Sequence, residues 1–309
     1  MLRKITVVAL LMSLVLSITP QAWAATPLER LAEVEVSLFG APQAGALLQR
    51  LNHAEATLFG KPVGSQDPIV VRIEKLARLV TGSGASGASL IMKLNAAEWM
   101  IFQDQTMAIP LFDRLEKIEK DVYGDPSQGI GVEERINDLV SLVWPGGVLN
   151  TGEARLLPGT TVKIKLLTEL SSTTSKEGDL VHYQVLSDVS QDNKLVIPTG
   201  ACGTGVVQKV KKAGPFGQEG QVGIDFGSLR AIDGTLIPMT FQPRSASGVG
   251  QGELAAGASL GGMVLLGPLG LAAGYLVQGK AQSIPVGTEL TVEVKDAVTV
   301  RALSLLPLQ

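Results

Sequence analysis

The sequence predicts an α+β protein with an N-terminal array of helical repeats and a C-terminal antiparallel β-barrel or sandwich that carries an apolar insert. Three observations predict this fold class. A repeat of about 21 residues has helical periodicity, a period-two alternation starts near residue 158, and residues 254–277 contain no charge. The expected divisions are a signal peptide at 1–24, helical repeats at 25–147, a linker at 148–157 and a β domain at 158–309.

Residues 1–24 have the pattern of a secretory signal peptide. Arg3 and Lys4 supply the positive start, residues 5–18 are largely apolar, and the Ala-Trp-Ala sequence at 22–24 is a small-x-small cleavage site. The alternative, a transmembrane anchor, needs about 20 apolar residues, which is longer than this run. We therefore expect cleavage after Ala24 and export to the periplasm or outer membrane of a bacterium with two membranes.

The charge balance excludes one class of partner. The chain has 26 basic and 29 acidic residues and a net charge of −3, whereas nucleic-acid binding needs clustered Lys and Arg. The one basic run, at Lys209, Lys211 and Lys212, is interpreted as a solvated strand end. Cys202 is the only cysteine, so no internal disulfide is expected.

The helical half contains about six repeat units. Each has a basic residue followed by apolar residues one, four and eight positions later, a spacing that lines one face of an α-helix. The basic residues are Arg30, Arg50, Arg72, Lys93, Arg114 and Arg135. Glycine at 40, 60, 82 and 124 follows the apolar stripe and predicts a left-handed helix stop. Such helices must pack on one another, as a solenoid or as a bundle.

Glutamates recur in this array, at Glu35, Glu55, Glu98 and Glu119. They are interpreted as the solvated flank of the apolar stripe, with a functional row of carboxylates as the alternative. The units contain the sequences SLFGAP, TLFGKP and DVYGDP, and in this they resemble LFG-type helical repeats of bacterial envelope proteins. That resemblance implies no particular chemistry. The protein partner of the repeats is unknown.

The second half reads as β-structure. Residues 161–166, 181–185 and 222–226 alternate between apolar and polar residues, and turn signals lie at 176–179, 191–193 and Asp233-Gly234. Seven or eight strands are expected, in a small barrel or sandwich. The aspartates of the turns are expected to accept hydrogen bonds from the backbone rather than to act as acid–base pairs.

Five stretches of this half carry a resemblance: LPGT, LSSTTSKEGDLVHYQV, LVIPTGACGTGVV, IDGTLIPM and SIPVGTELTVEV. In this order they resemble the C-terminal β-barrel domain of the TrbI-type outer-membrane component of conjugation and type IV secretion machines. In that family a helical hairpin inserted in the barrel sequence helps to form an outer-membrane channel, and the 254–277 insert has a comparable place. The family also has an inner-membrane anchor and a proline-rich linker, whereas this chain has a cleavable signal and helical repeats.

The 254–277 insert is expected to be an apolar helical hairpin, because Gly267-Pro268 lies near its middle. Small-xxx-small spacings allow such helices to approach closely, which predicts membrane association or a homo-oligomer. The alternative is a hairpin buried within the β domain. The predicted contact residues are Gly257, Gly261, Gly262, Gly267, Pro268, Gly270 and Gly274.

No catalytic, cofactor or metal site is predicted. The G-x-S-x-G pattern around Ser259 needs a later histidine, but the last histidine is His182, and the other, His53, lies in the helical half. The favoured function is therefore that of a non-catalytic exported envelope protein, a structural component of the outer membrane or of a secretion complex. The alternatives are a soluble periplasmic module that binds a protein or an envelope polymer and, more remotely, an exported hydrolase with Ser259 as its nucleophile.

Overall fold

The computed structural model describes residues 25–61, 63, 66–82, 87–106, 109–215, 218–241 and 281–305. These ranges contain the predicted repeats and most of the β half. The predicted signal peptide and the 254–277 insert lie outside the described residues.

The described N-terminal half consists of six helices, as the repeat predicts. Their bounds are α1 Pro27–Phe39, α2 Leu47–Phe59, α3 Ile69–Thr81, α4 Leu90–Phe102, α5 Leu111–Tyr123 and α6 Val132–Val143, and a 3-10 turn follows at Pro145–Gly147. The predicted stop glycines all have positive φ, from 72° to 93°, which residues with a Cβ rarely adopt. Where the repeat lacks this glycine, α4 ends at Gln103 in the left-handed region and α6 ends in extended backbone.

The apolar stripe forms the core of this half. All the side chains one and four positions after the basic residue are buried, and those eight positions after it are buried or packed on the same core. The most extensive helix–helix contacts are not between helices that are consecutive in the chain. Helix α1 packs most closely on α3, and α4 packs most closely on α6. Helix α1 also touches α5, and α2 touches α6. An open solenoid has only neighbour contacts, so of the two predicted arrangements the bundle describes this array.

The β half contains twelve described strands. They are β1 Thr151–Leu156, β2 Thr161–Leu166, β3 Leu170–Ser171, β4 Leu180–Val185, β5 Val189–Gln191, β6 Lys194–Ile197, β7 Cys202–Lys211, β8 Gln221–Arg230, β9 Leu236–Thr240, β10 Ser283–Ile284, β11 Glu289–Val294 and β12 Val298–Ser304. Six of them close a barrel in the order β11-β2-β4-β7-β8-β9, a second sheet has the order β1-β12-β6-β5, and β3 pairs with β10.

Two details differ from the prediction. Strands shorter than five residues, such as β3 and β5, have too little sequence to show an alternation, so the expected number of strands was too low. The segment 148–157, assigned to a linker, contains strand β1, which pairs with β12 along its whole length. Its partner lies almost at the other end of the chain, where no local pattern points to it. The domain boundaries themselves stay predictions.

The two halves share a hydrophobic core. Leu195, Ile232 and Leu303 of the β half pack with the buried side chains of the helices. A separate cluster fills the barrel around Tyr183, whose hydroxyl donates to the Phe226 carbonyl oxygen at 2.8 Å. The Tyr183 ring lies directly beside Gly203, where a Cβ would come within 2.2 Å of it. The absence of a side chain at Gly203 therefore makes room for the largest buried side chain of the barrel.

Candidate functional site

The seven predicted contact residues lie outside the described residues, so their arrangement stays a prediction. They are Gly257, Gly261, Gly262, Gly267, Pro268, Gly270 and Gly274. Among the described ranges, no helix combines the length and the apolar character needed to span a bilayer. What the structure does describe is the barrel surface where the chain leaves towards this segment and returns from it.

Both junctions lie on one side of the barrel. Strand β9 runs antiparallel to β11, with Thr240 opposite Glu293, so the chain at Thr240 heads towards the start of β11. The returning chain first pairs as β10 with β3, just before β11 begins. There the Ser172 backbone N–H donates to the Gln282 carbonyl at 2.9 Å. Residues 241 and 281 are therefore directed to the same end of the barrel, which we call the insert end.

Four exposed apolar side chains surround the insert end. Leu167, Leu180, Val206 and Val286 have exposed fractions of 42%, 56%, 38% and 58%. Leu180 is the direct cross-strand neighbour of Val206. Backbone hydrogen bonds hold residues 167 and 287 beside β4 and β2. We call this set the apolar rim. A cluster of exposed apolar side chains at one edge of a domain is typical of an interaction surface.

A long hairpin lies beside the rim. Strand β7 pairs with β4 only as far as Val206, whereas its pairing with β8 continues to Lys211. The hairpin therefore extends past the neighbouring strand. Lys209, Lys211 and Lys212 are exposed on this extension, as expected for a solvated strand end. The β7–β8 turn lies against Ser172, because a Cβ on Gly220 would lie 2.2 Å from the Ser172 Oγ, and this same Oγ accepts from the backbone N–H of Gln282 in the returning chain.

The recurring glutamates were interpreted as solvated, and this interpretation was wrong. Each is buried and ion-paired with the arginine that starts the stripe of the next helix. The pairs, which we call clasps, are Glu35–Arg50, Glu55–Arg72, Glu98–Arg114 and Glu119–Arg135. In three of them the arginine places Nε and Nη2 on the two carboxylate oxygens, at 2.5–3.0 Å.

The glutamates also anchor the connectors between helices. Glu35 accepts from the backbone N–H of Gln43, and Glu98 and Glu119 accept likewise from Thr106 and Ser127, at 2.9–3.2 Å. The Glu55 and Glu35 carboxylates raise the pKa of Arg72 and Arg50 through their hydrogen bonds, against the opposing effect of desolvation. Because these carboxylates are buried and fully engaged, they hold the array together and are closed to a ligand.

The repeat sequence contains a pattern that could have predicted the clasps. A glutamate occupies the fifth position after the basic residue only where the next unit begins with arginine; Ala77 stands there before Lys93. The array therefore divides into two sets of three helices, whose first helices start at positions 27 and 90. Equivalent polar contacts close each set: Arg30 with Glu74 in the first, and Lys93 with Asn137 in the second.

The structure places the other sequence candidates apart. The His53 ring stacks on Phe39 in the helical half, whereas His182 is exposed on β4 beside Thr204. Asp179, Asp188 and Asp233 accept from backbone N–H groups at turns, as predicted, whereas Asp225 accepts from the Gly227 N–H within strand β8. Within the described ranges, no group of three or more His, Cys, Asp or Glu residues is suited to hold a metal ion. Ser259 lies outside those ranges.

Comparisons with known proteins give similarities to solved structures. No protein-family model matches the chain, and no curated protein matches it. Among solved structures, ComB10 of the Com type IV secretion system of Helicobacter pylori is similar, with 14% sequence identity and a TM-score of 0.27. The match covers 46% of this chain and 88% of that chain. Because this TM-score is low, the resemblance to the TrbI-type and LFG-type families stays a prediction.

Proposed function

We propose that this chain is a non-catalytic structural protein of the bacterial cell envelope. In this proposal residues 25–309 are exported, and the apolar insert at 254–277 attaches the β domain to a membrane or to further copies of the chain. The helical array forms an arm that is rigid because its clasps are buried. More specifically, the chain would be a structural component of the outer membrane or of a secretion complex.

The apolar rim is the observation that supports this proposal. It lies at the insert end, so the described barrel surface and the uncharged segment next to it in the chain have the same preference for an apolar environment. Burying one such side chain contributes about 1.5–3 kcal/mol. A lipid surface or a second copy would cover the rim and the insert together.

Cell fractionation tests the attachment. The full chain is expressed with its signal in a diderm bacterium, and the envelope fraction is washed with high salt and then with carbonate. The proposal expects the chain to stay with the membranes and a variant lacking 254–277 to be released. Release of the intact chain would favour the alternative, a soluble periplasmic binding module with the insert buried.

Substitutions separate attachment from folding. Gly261→Leu with Gly274→Leu is expected to reduce the oligomer or the membrane-bound fraction while the circular-dichroism spectrum is retained. Gly87→Leu is the matched control, because a Cβ there meets nothing within 4 Å. Loss of the folded spectrum in the double variant alone would show that the insert is packed inside the domain.

A further inference from the structure

A cavity of about 220 Å³ lies between the two halves, away from the insert end, and the arginine of one clasp, Arg114, lines it. Helices α1, α4 and α5 and the β8–β9 hairpin form its walls. Val36, Ile91 and Ile109 supply apolar surface, and Arg114 and Arg230 supply two guanidinium groups. Pockets that combine apolar walls with a few convergent polar groups are typical ligand sites.

Arg114, which lines this cavity, binds its glutamate differently from the arginines of the other three clasps. Its Nη2 donates to both Glu98 and Asn95, while its Nε is buried and has no hydrogen-bond partner among the described residues. Arg50, Arg72 and Arg135 each use Nε to bind their glutamate. A buried charged N–H without an acceptor is costly, so the Arg114 guanidinium is less completely paired than those of the other clasps and favours a further acceptor at the cavity that it lines.

Two further features favour an anionic acceptor. Arg230 is exposed at the end of β8, where its backbone pairs with Leu236, and its side chain makes no hydrogen bond or ion pair with the described residues. Helix α5 begins at the cavity, and its N-cap residue, Pro110, supplies no side-chain cap for the free N–H groups of the first turn. A helix N-terminus carries partial positive charge. Asp113 in that turn and Glu98 offset part of the positive charge, and Arg230 remains unpaired.

A wider groove of about 870 Å³ continues from this cavity along α1. The two share Val36, Arg230 and neighbouring residues, and the groove runs on to Glu33 and Glu29. Leu236, exposed on β9, lines the opposite wall. The inner cavity is therefore basic and the outer groove acidic, with apolar surface along both.

We propose that this groove binds the carboxyl-terminal end of a polypeptide. The α-carboxylate would accept from the guanidinium groups of Arg114 and Arg230, which both line the cavity, and an apolar last side chain would pack against Val36 and Ile91. Glu29 lies seven positions before Val36, about 10 Å along the helix, which equals about three residues of extended chain. A lysine or arginine two to four positions before the ligand's last residue would then face Glu33 or Glu29.

Peptide binding tests this inference independently of any membrane. The purified full chain is titrated with an N-terminally labelled Gly-Ser-Lys-Lys-Ala-Leu peptide with a free carboxylate, and with its carboxyl-terminal amide, by fluorescence anisotropy. We expect saturable binding of the acid and at least tenfold weaker binding of the amide. Equal affinities for acid and amide, or no binding of the acid, would overturn the proposal.

Variants locate the site. Arg230→Gln should weaken binding of the acid about tenfold and leave the amide unchanged, whereas Arg155→Gln, at an exposed arginine of β1, should change neither. Glu33→Gln should weaken the lysine peptide but not a peptide with serine in place of lysine. Equal competition by inorganic phosphate or acetate would reduce the site to a simple anion site and contradict the peptide assignment. Failure of this experiment leaves the envelope attachment intact, since that is measured by fractionation.

Discussion

The side chain of Asn95 joins the helical array to the β half at Ile232, 137 positions later in the chain. Its Nδ2 donates to the Ile232 carbonyl oxygen at 2.8 Å. Its Oδ1 accepts from Arg114 at 2.8 Å, and its own carbonyl accepts from Gln105 Nε2. One buried amide therefore connects α4, α5 and the β8–β9 hairpin, so a disturbance at any of them is expected to reach the others.

Replacing this amide should uncouple the halves. We expect Asn95→Ala to lower the free energy of unfolding by about 2 kcal/mol, because Ile232 O and Arg114 both lose a buried partner. Urea unfolding, followed by circular dichroism and by tryptophan fluorescence, measures this free energy. In the variant the two signals should give transitions at different urea concentrations, because the halves would unfold separately. Asn137→Ala, which loses a half-buried bond from Lys93, should cost less than about 1 kcal/mol. An equal loss in both variants would contradict the role of Asn95 as the joint.

The clasps predict a strong asymmetry between single and double replacements. Arg135→Met should destabilise the chain by about 3–5 kcal/mol, because Glu119 is left buried without its partner, whereas Glu119→Leu with Arg135→Met should recover most of the loss. The exposed Lys75–Asp67 pair, with side-chain exposures of 66% and 41%, is the control. Lys75→Met should cost less than about 1 kcal/mol. A double variant as unstable as the single one would refute the argument.

The close contact between Gly203 and Tyr183 can be tested by adding one methyl group. Gly203→Ala should destabilise the chain by about 1–3 kcal/mol, because the Cβ would overlap the Tyr183 ring. Gly223→Ala on the paired strand β8 is the matched control, since its Cβ would make ordinary contacts at 3.5 Å or more. Thermal unfolding compares the two. Equal thermal stability of the two variants would show that the Tyr183 ring can move aside, and would contradict the predicted overlap.

Tyr183 should make stability depend on pH in the alkaline range. Burial raises the pKa of its hydroxyl well above 10.0, and the charge of Asp225 adds to the shift. The folded chain thus holds a proton that the unfolded chain releases above pH 10.0, so this contribution is complete below that pH and is lost as the pH rises through the folded pKa. Urea unfolding at about pH 9 and about pH 11 should show the loss in the native chain and a smaller one in Tyr183→Phe. Partial burial also raises the pKa of Tyr123, which is 51% exposed, so Tyr123→Phe should remove a smaller part of the dependence than Tyr183→Phe does.

Polar substitutions in the apolar rim should weaken membrane binding without lowering the stability of the fold. If the insert end faces lipid, Leu180→Ser with Val286→Ser should reduce binding to phosphatidylethanolamine–phosphatidylglycerol vesicles about tenfold, because less apolar area is buried. Leu28→Ser with Leu142→Ser removes equally exposed side chains from the helical half and should leave vesicle binding unchanged. A tenfold loss in the helical-half variant as well would show that the effect is not specific to the rim.

Patterns that repeat over a few residues predicted much of this fold. The stripe at Leu31, Val34 and Leu38 specifies a helix and its buried face, because neighbouring turns of one helix bring those side chains together. The alternation in β2 and the Asp233-Gly234 turn are equally local. The seven glycine and proline contacts of the insert remain predictions, since they lie outside the described residues.

Relations between distant segments were decided by tertiary structure. Whether Glu35 is solvated or buried depends on where the next helix places Arg50, and a period of 21 residues leaves that crossing undetermined. Strand β1 was mistaken for a linker because its partner, β12, lies almost at the other end of the chain. The cavity at Arg114 and Arg230 forms only when the two halves pack together. Side chains along one element are placed by its own geometry, but contacts between elements are chosen by the packing of the whole chain.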